Sequence, residues 1–190
     1  MTTLYAVFGL LAVAVSVNLV LTARLAGAVR QISALSPALL GSPDEFSLPP
    51  GYEVPPFETT SVQGQPVSMT AMEEFVVGFF LVGCPPCKEA VDEYAALAER
   101  LADSGVSAIA VIRYEASDLE KPEWCHELAS ETERLSRTAV VVHEESAGGI
   151  ITAFNVTAYP LFYRVRREGE RHVVIAEAPT SHHFYRLEPV

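Results

Sequence analysis

A Cys-Pro-Pro-Cys segment, Cys84 to Cys87, stands between an apolar run, Phe75 to Val82, and a helix-compatible pattern that starts at Pro85. Two thiols are thereby placed where a buried strand hands over to a helix, and that location points to thiol–disulfide chemistry. The thiolate is the reactive form of cysteine. Unsatisfied N–H groups at a helix start stabilise negative charge and draw a thiol pKa down from its usual value of about 8.5. Cys84, at the mouth of the helix, is the expected nucleophile. Cys87, one turn further in, is spaced to attack a mixed disulfide formed on Cys84 and to release the product.

The chain has 190 residues, enough for one domain and an appendage. Leu4 to Ala23 is mostly apolar, with Asn18 its most polar interruption, and it has the length needed to cross a hydrocarbon layer of about 30 Å. We read residues 1–23 as a single transmembrane anchor, inserted through residues 4–23. A cleaved signal peptide is the alternative, but no basic residue precedes the run, and Thr22-Ala23-Arg24-Leu25-Ala26 is a poor cleavage site. Arg24 and Arg30, taken alone, place the following domain in the cytosol. All 24 acidic residues lie beyond Arg30, against 11 of the 13 basic ones, so nucleic acid is not expected as a partner.

Residues 24–56 read as a juxtamembrane helix and then a linker. Leu25, Ala28, Ile32, Leu35 and Leu39 make an apolar stripe, and Pro43, Pro49, Pro50, Pro55 and Pro56 stiffen the linker. From residue 57 the pattern becomes regular. Phe57 to Met69 predicts a hairpin that turns at Ser61 to Gln65, and Phe75 to Val82 a buried strand. A helix is expected from Pro85 to Ala102, closed by Gly105, then a strand from Val106 to Arg113. A second helix comes after Pro122, with Leu128 and Leu135 on its apolar face and Glu131 excepted. A strand from Thr138 to His143, a short helix from Ala147 to Phe154, and strands Leu161 to Arg167 and His172 to Ala178 complete the order. Right-handed crossovers turn this order into a mixed sheet covered by helices on both faces, with the site at the strand carboxyl ends.

The strand, Cys84-Pro85-Pro86-Cys87-Lys88, and a later Tyr159-Pro160 opening an antiparallel pair resemble the thioredoxin fold from residue 57 to the end. The implied architecture is an α/β three-layer sandwich with a central mixed sheet, preceded by one transmembrane helix. Within that fold the chain is similar to bacterial membrane-anchored thiol–disulfide oxidoreductases, especially the thioredoxin-like accessory proteins of methylamine dehydrogenase (methylamine utilisation). These share one N-terminal span, a helical stretch like Ala23 to Ile32 and a Pro-rich approach to a Cys-Pro-x-Cys motif. The resemblance implies a redox domain outside the cytoplasmic membrane. It implies client protein cysteines as substrates, a redox partner that recycles the pair, and no cofactor or metal. It also implies that Pro160 is a cis-proline packed against the two cysteines, with the Tyr159 backbone positioning the substrate. Two departures stand out. Gly83 replaces the Trp that precedes the motif in many thioredoxins, and Gly78 replaces a buried carboxylate that serves proton transfer at the second cysteine.

Other chemistries compete for the same residues. Cys84, Cys87, Cys125 and His126 are four possible zinc ligands, although two prolines within the first pair favour redox use. A copper-delivery module of the thioredoxin fold is the main alternative function, although only two residues separate the cysteines and His143 reads as the end of a strand rather than as a distal ligand. A peroxidase is disfavoured because Leu81, not Thr, lies three residues before Cys84. Cys125 is expected to be an inert, partly covered thiol, His182-His183 a solvated pair, Lys88 a surface charge able to support a thiolate, and Trp124 a partly buried anchor.

Overall fold

Phe75, Val77 and Phe79 alternate with Val76, Gly78 and Phe80, so a single strand presents apolar groups to both of its faces. Such a strand must be covered on both sides, and it lies at the centre of the sheet. The computed structural model describes residues 48–146 and 148–188. The expected span, the stripe after it and the start of the Pro-rich stretch lie outside the described residues. No helix among the described residues is long and apolar enough to cross a membrane.

The described chain runs β1 (Glu58–Thr60), β2 (Pro66–Ser68), β3 (Glu74–Leu81), α1 (Pro85–Ala102), β4 (Ser107–Arg113), α2 (Pro122–Leu135), β5 (Val140–Glu144), α3 (Gly149–Ala153), β6 (Leu161–Glu168) and β7 (Arg171–Ala178). Five strands form one sheet in the order β5-β4-β3-β6-β7. β4 pairs parallel with β3 and with β5, whereas β6 pairs antiparallel with β3 and with β7. β1 and β2 form a separate antiparallel pair. The expected thioredoxin-like α/β fold with a central mixed sheet is therefore present, and element ends differ from expectation by one or two residues.

The two sheet faces carry separate cores. Phe75, Val77 and Phe79 pack with Phe57, Phe154 and Tyr163 beneath the hairpin and α3. Val76 and Phe80 pack with Tyr94, Leu97, Leu128, Phe162 and Phe184 beneath α1, α2 and the terminal segment. That segment, Ser181–Arg186, winds as a 3-10 helix and sets Phe184 edge-on to Phe162 at 4.6 Å between centroids.

Three findings go beyond the pattern. The end of the Pro-rich stretch is held on the sheet edge, where Gly51 N–H donates to Val174 O at 2.8 Å and Val54 N–H to His172 O at 2.9 Å. Glu131, excepted from the apolar face of α2, lies within it and is 1% exposed, so that expectation is corrected. Its spacing of three from Leu128 and four to Leu135 puts it on their stripe whatever its polarity.

Gly78 is the third. A Cβ there would lie 2.9 Å from the Tyr94 ring and 3.0 Å from that of Phe162. Tyr94 fills the space and donates its hydroxyl to Ile109 O at 2.7 Å, with Val76 O also near at 3.2 Å. The position cannot hold a carboxylate because a phenol ring occupies it. Gly78→Ala is expected to cost about 1–3 kcal/mol by overpacking, read as a lower denaturant midpoint, while the conservative Ala90→Gly on α1 costs only about 1 kcal/mol.

Candidate active site

Helix α1 begins with two residues that have no backbone N–H. Pro85 and Pro86 occupy its first positions, where a missing donor costs nothing. The first free N–H at this helix end is that of Cys87, and it donates to Cys84 Sγ at 3.2 Å. Cys84 is the N-cap residue, in extended conformation, and its carbonyl accepts the Lys88 N–H at 3.1 Å. Cys84 and Cys87 are joined as a disulfide with Cα atoms 5.3 Å apart. Cys87 is fully buried and Cys84 is partly accessible, so an incoming group meets only the first sulfur.

The loop before β6 faces that sulfur. Tyr159-Pro160 is a cis peptide, and the Tyr159 carbonyl oxygen lies 4.0 Å from Cys84 Sγ. The chain reaches this point through α3, whose N-terminus is capped from β5: Glu144 accepts from Ile150 N–H at 3.0 Å and Ile151 N–H at 2.9 Å. A side chain at Gly148 would overlap the Glu144 carboxylate. The Tyr159 ring lies 5.7 Å from the Arg113 guanidinium, which also bonds Glu115 and, at 2.9 Å, Ser146 Oγ. Burial raises the phenol of Tyr159 above its ordinary pKa, against the pull of Arg113.

Helix α2 closes the other side of the motif. Gly83 has φ +77°, a conformation that glycine adopts without strain, and its N–H donates to Glu127 Oε1 at 2.7 Å. A Cβ at Gly83 would lie 3.0 Å from the indole of Trp124, which is itself capped by Lys121 Nζ at 3.2 Å from the ring centroid. Trp124 and Cys84 both pack on the core cluster that contains Cys87. The indole absent from position 83 is thus supplied from position 124. Its signal in the sequence was the Trp124 and Glu127 spacing of three on one helix, which has no meaning until α2 is known to lie beside the motif.

The remaining candidates are dispersed. Cys125 donates its thiol to Leu119 O at 3.1 Å, and His126 is exposed. His143 contacts Thr132 Oγ1 at 2.7 Å, and burial lowers its pKa. His183 contacts Thr180 Oγ1 at 2.8 Å and His182 is exposed. Among the described residues no group of three or more His, Cys, Asp or Glu is placed to hold a metal ion.

This chain belongs to the AhpC/TSA family, whose model matches residues 50–170. No curated protein matches it. Among solved structures it is similar to the thioredoxin domain of a thiol-disulfide oxidoreductase from Bacteroides vulgatus, at 16% identity and TM-score 0.53 over 69% of this chain and 89% of that one. It is also similar to an uncharacterized conserved protein from Geobacillus kaustophilus, at 22% identity and TM-score 0.56 over 70% and 69%. A thiol:disulfide interchange protein from Bacteroides sp. matches at 16% identity and TM-score 0.52 over 70% and 85%. At these identities the likeness is one of fold.

This geometry has two measurable outcomes. Gly83→Ala is expected to strain the backbone and displace the indole, costing about 1–3 kcal/mol and shifting the emission of Trp124, the one tryptophan of the chain. Burial pushes the Glu131 carboxyl up to about 7, helped by Glu127 and opposed by Arg134 and Lys88. An unfolded Glu ionises near 4.3, so between roughly pH 4.5 and 7 the folded chain keeps a proton that the unfolded chain has lost. Stability therefore falls as pH rises through that window and levels above it. Denaturant curves of Glu131→Gln should lack this fall and show a variant more stable at pH 8 by on the order of 2 kcal/mol.

Proposed function

We propose that this protein is a membrane-anchored thiol–disulfide oxidoreductase that exchanges disulfides with protein cysteines through Cys84 and Cys87. The observation that carries this reading is the Cys87 N–H aimed at Cys84 Sγ, with the second sulfur buried directly behind the first. In the reducing direction, the Cys84 thiolate attacks a client disulfide, forms a mixed disulfide and expels one client thiolate. Cys87, deprotonated, then attacks Cys84 Sγ, closes the internal disulfide and releases the second client thiolate. The client gains two electrons and two protons, and the pair loses them. A redox partner restores the dithiol by the same exchange, and the reverse sequence oxidises a client.

Pro85 and Pro86 shape the helix mouth in this scheme. Tyr159, ahead of cis-Pro160, offers its backbone to an extended client segment next to Cys84, so that strand-like pairing orients the incoming disulfide. Residues 4–23 would anchor the domain in the cytoplasmic membrane, with the redox site on the extracytoplasmic side, as the similarity to the methylamine dehydrogenase accessory proteins suggests. An impermeant thiol reagent applied to intact cells should then label a cysteine introduced in the linker. Labelling only after lysis would reverse the assigned side.

Cys84→Ser is expected to lower disulfide exchange with insulin by about 100-fold or more. Cys87→Ala should leave the first step intact and accumulate a mixed disulfide on Cys84, visible as a reducible mass increase that identifies the client. A Cys87→Ala protein that exchanges as fast as the wild type would contradict the assigned order of attack.

A further inference from the structure

The seam between α1 and α2 is fastened at two points. Near its start Glu127 accepts the Gly83 N–H at 2.7 Å, and further along Arg134 pairs with Asp92. Glu131 lies between them, one turn beyond Glu127 and therefore about 6 Å further along the helix axis. Glu127 to Gly83 and Arg134 to Asp92 set the register, so Glu131 is level with the first turns of α1, where Lys88 comes directly after Cys87. Glu131 is 1% exposed, and neither of its carboxylate oxygens has a hydrogen-bond partner. A buried, unpaired carboxylate is costly, and disulfide exchange through Cys84 and Cys87 gives it no task.

The charges around it identify what it faces. On its own helix are Glu127, which holds Gly83, and Arg134, which is engaged by Asp92 of α1. On α1 is Lys88, exposed and without an ion pair among the described residues, yet near enough to Glu131 to favour its ionised form. On β5, His143 is held by Thr132 Oγ1. In the 3-10 turn before α2, Asp118 accepts the Glu115 N–H and Lys121 sits over Trp124. Of the two cations that favour ionised Glu131, Arg134 is already engaged by Asp92, whereas Lys88 has no ion pair among the described residues and its backbone N–H is bonded to the Cys84 carbonyl.

We propose that Glu131 is a positioning residue that sets the pH response of the Cys84–Cys87 pair by competing with the Cys84 thiolate for the Lys88 ammonium. This rests on the proposed thiol–disulfide exchange function. With Glu131 protonated, Lys88 is free to stabilise the thiolate. Once Glu131 ionises, it draws on Lys88 and adds a second negative charge near the sulfur, and the thiol becomes a weaker acid. The coupling is reciprocal, so a thiolate at Cys84 makes Glu131 hold its proton more tightly.

The test uses the reduced, full-length protein in a Cys125→Ser background and tracks the rate of Cys84 alkylation by iodoacetamide from pH 4.5 to 9. The wild type should give a profile broadened around pH 7. Glu131→Gln should give a single ionisation whose midpoint is lower by at least half a pH unit, a three-fold change in the ionisation constant. Lys88→Gln should raise the midpoint, and by more in the Glu131→Gln background than in the wild type. Superimposed wild-type and Glu131→Gln profiles, with both proteins folded by circular dichroism, would overturn the proposal, because a purely structural Glu131 moves stability and not this profile. Should Glu131→Gln fail to fold, carbon-13 NMR of the wild-type carboxyl decides. Its titration midpoint is expected to be higher in the reduced than in the oxidised protein, and an identical midpoint in both states would overturn the idea. Insulin turnover by the wild type is measured alongside: its absence defeats the exchange function without touching the Glu131 comparison.

Discussion

One hydrogen bond organises the site: the Cys87 N–H donated to Cys84 Sγ across the first turn of α1. Its importance comes from the two prolines. A helix start ordinarily spreads several free N–H groups over whatever lies in front of it, but Pro85 and Pro86 contribute none, so the Cys87 donor is the first available and it points at sulfur. Everything else keeps that donor and acceptor in register. β3 delivers the chain to Gly83, the left-handed turn at Gly83 redirects it, and α1 is pinned to the sheet by Tyr94, whose ring fills the space above Gly78.

The surroundings treat the two sulfurs differently. Cys84 has Tyr159 on one side and Trp124 on the other, and it stays partly open between them. Cys87 is enclosed by the core of α1 and α2. The asymmetry gives an order to any exchange, since the buried sulfur can attack only a bond already made to the accessible one. α2 contributes twice to this arrangement, through the indole over Gly83 and through the Glu127 carboxylate on the Gly83 N–H. A helix from a later part of the chain therefore helps to build the mouth of the first helix.

Much of the fold was legible because a strand buried on both faces leaves a continuous apolar run, and β3 did so from Phe75 to Val82. The strand order placed Cys84 at a strand carboxyl end, and Tyr159-Pro160, assigned beside it by the resemblance alone, has its Tyr159 carbonyl oxygen 4.0 Å from Cys84 Sγ. Contacts set by packing could not be read. Trp124 and Glu127 have ordinary helix-surface spacing until α2 is known to border the motif. Polarity excepts Glu131 from the apolar face despite its position on the Leu128–Leu135 stripe, whereas the structure buries it. Gly78 signalled a missing carboxylate, yet only the Tyr94 ring explains why glycine is needed. Gly51 to Val54 read as linker because prolines surround them, but their backbone groups bond to β7.

The account stands or falls on the acidity of one sulfur. Thiolate absorbance near ~240 nm, recorded against pH in the reduced protein with Cys125 replaced by serine, reports the ionisation of Cys84 directly. A midpoint at least about one unit below the value of about 8.5 for a free cysteine is expected if the helix mouth holds the thiolate. A midpoint at or above that value would contradict it.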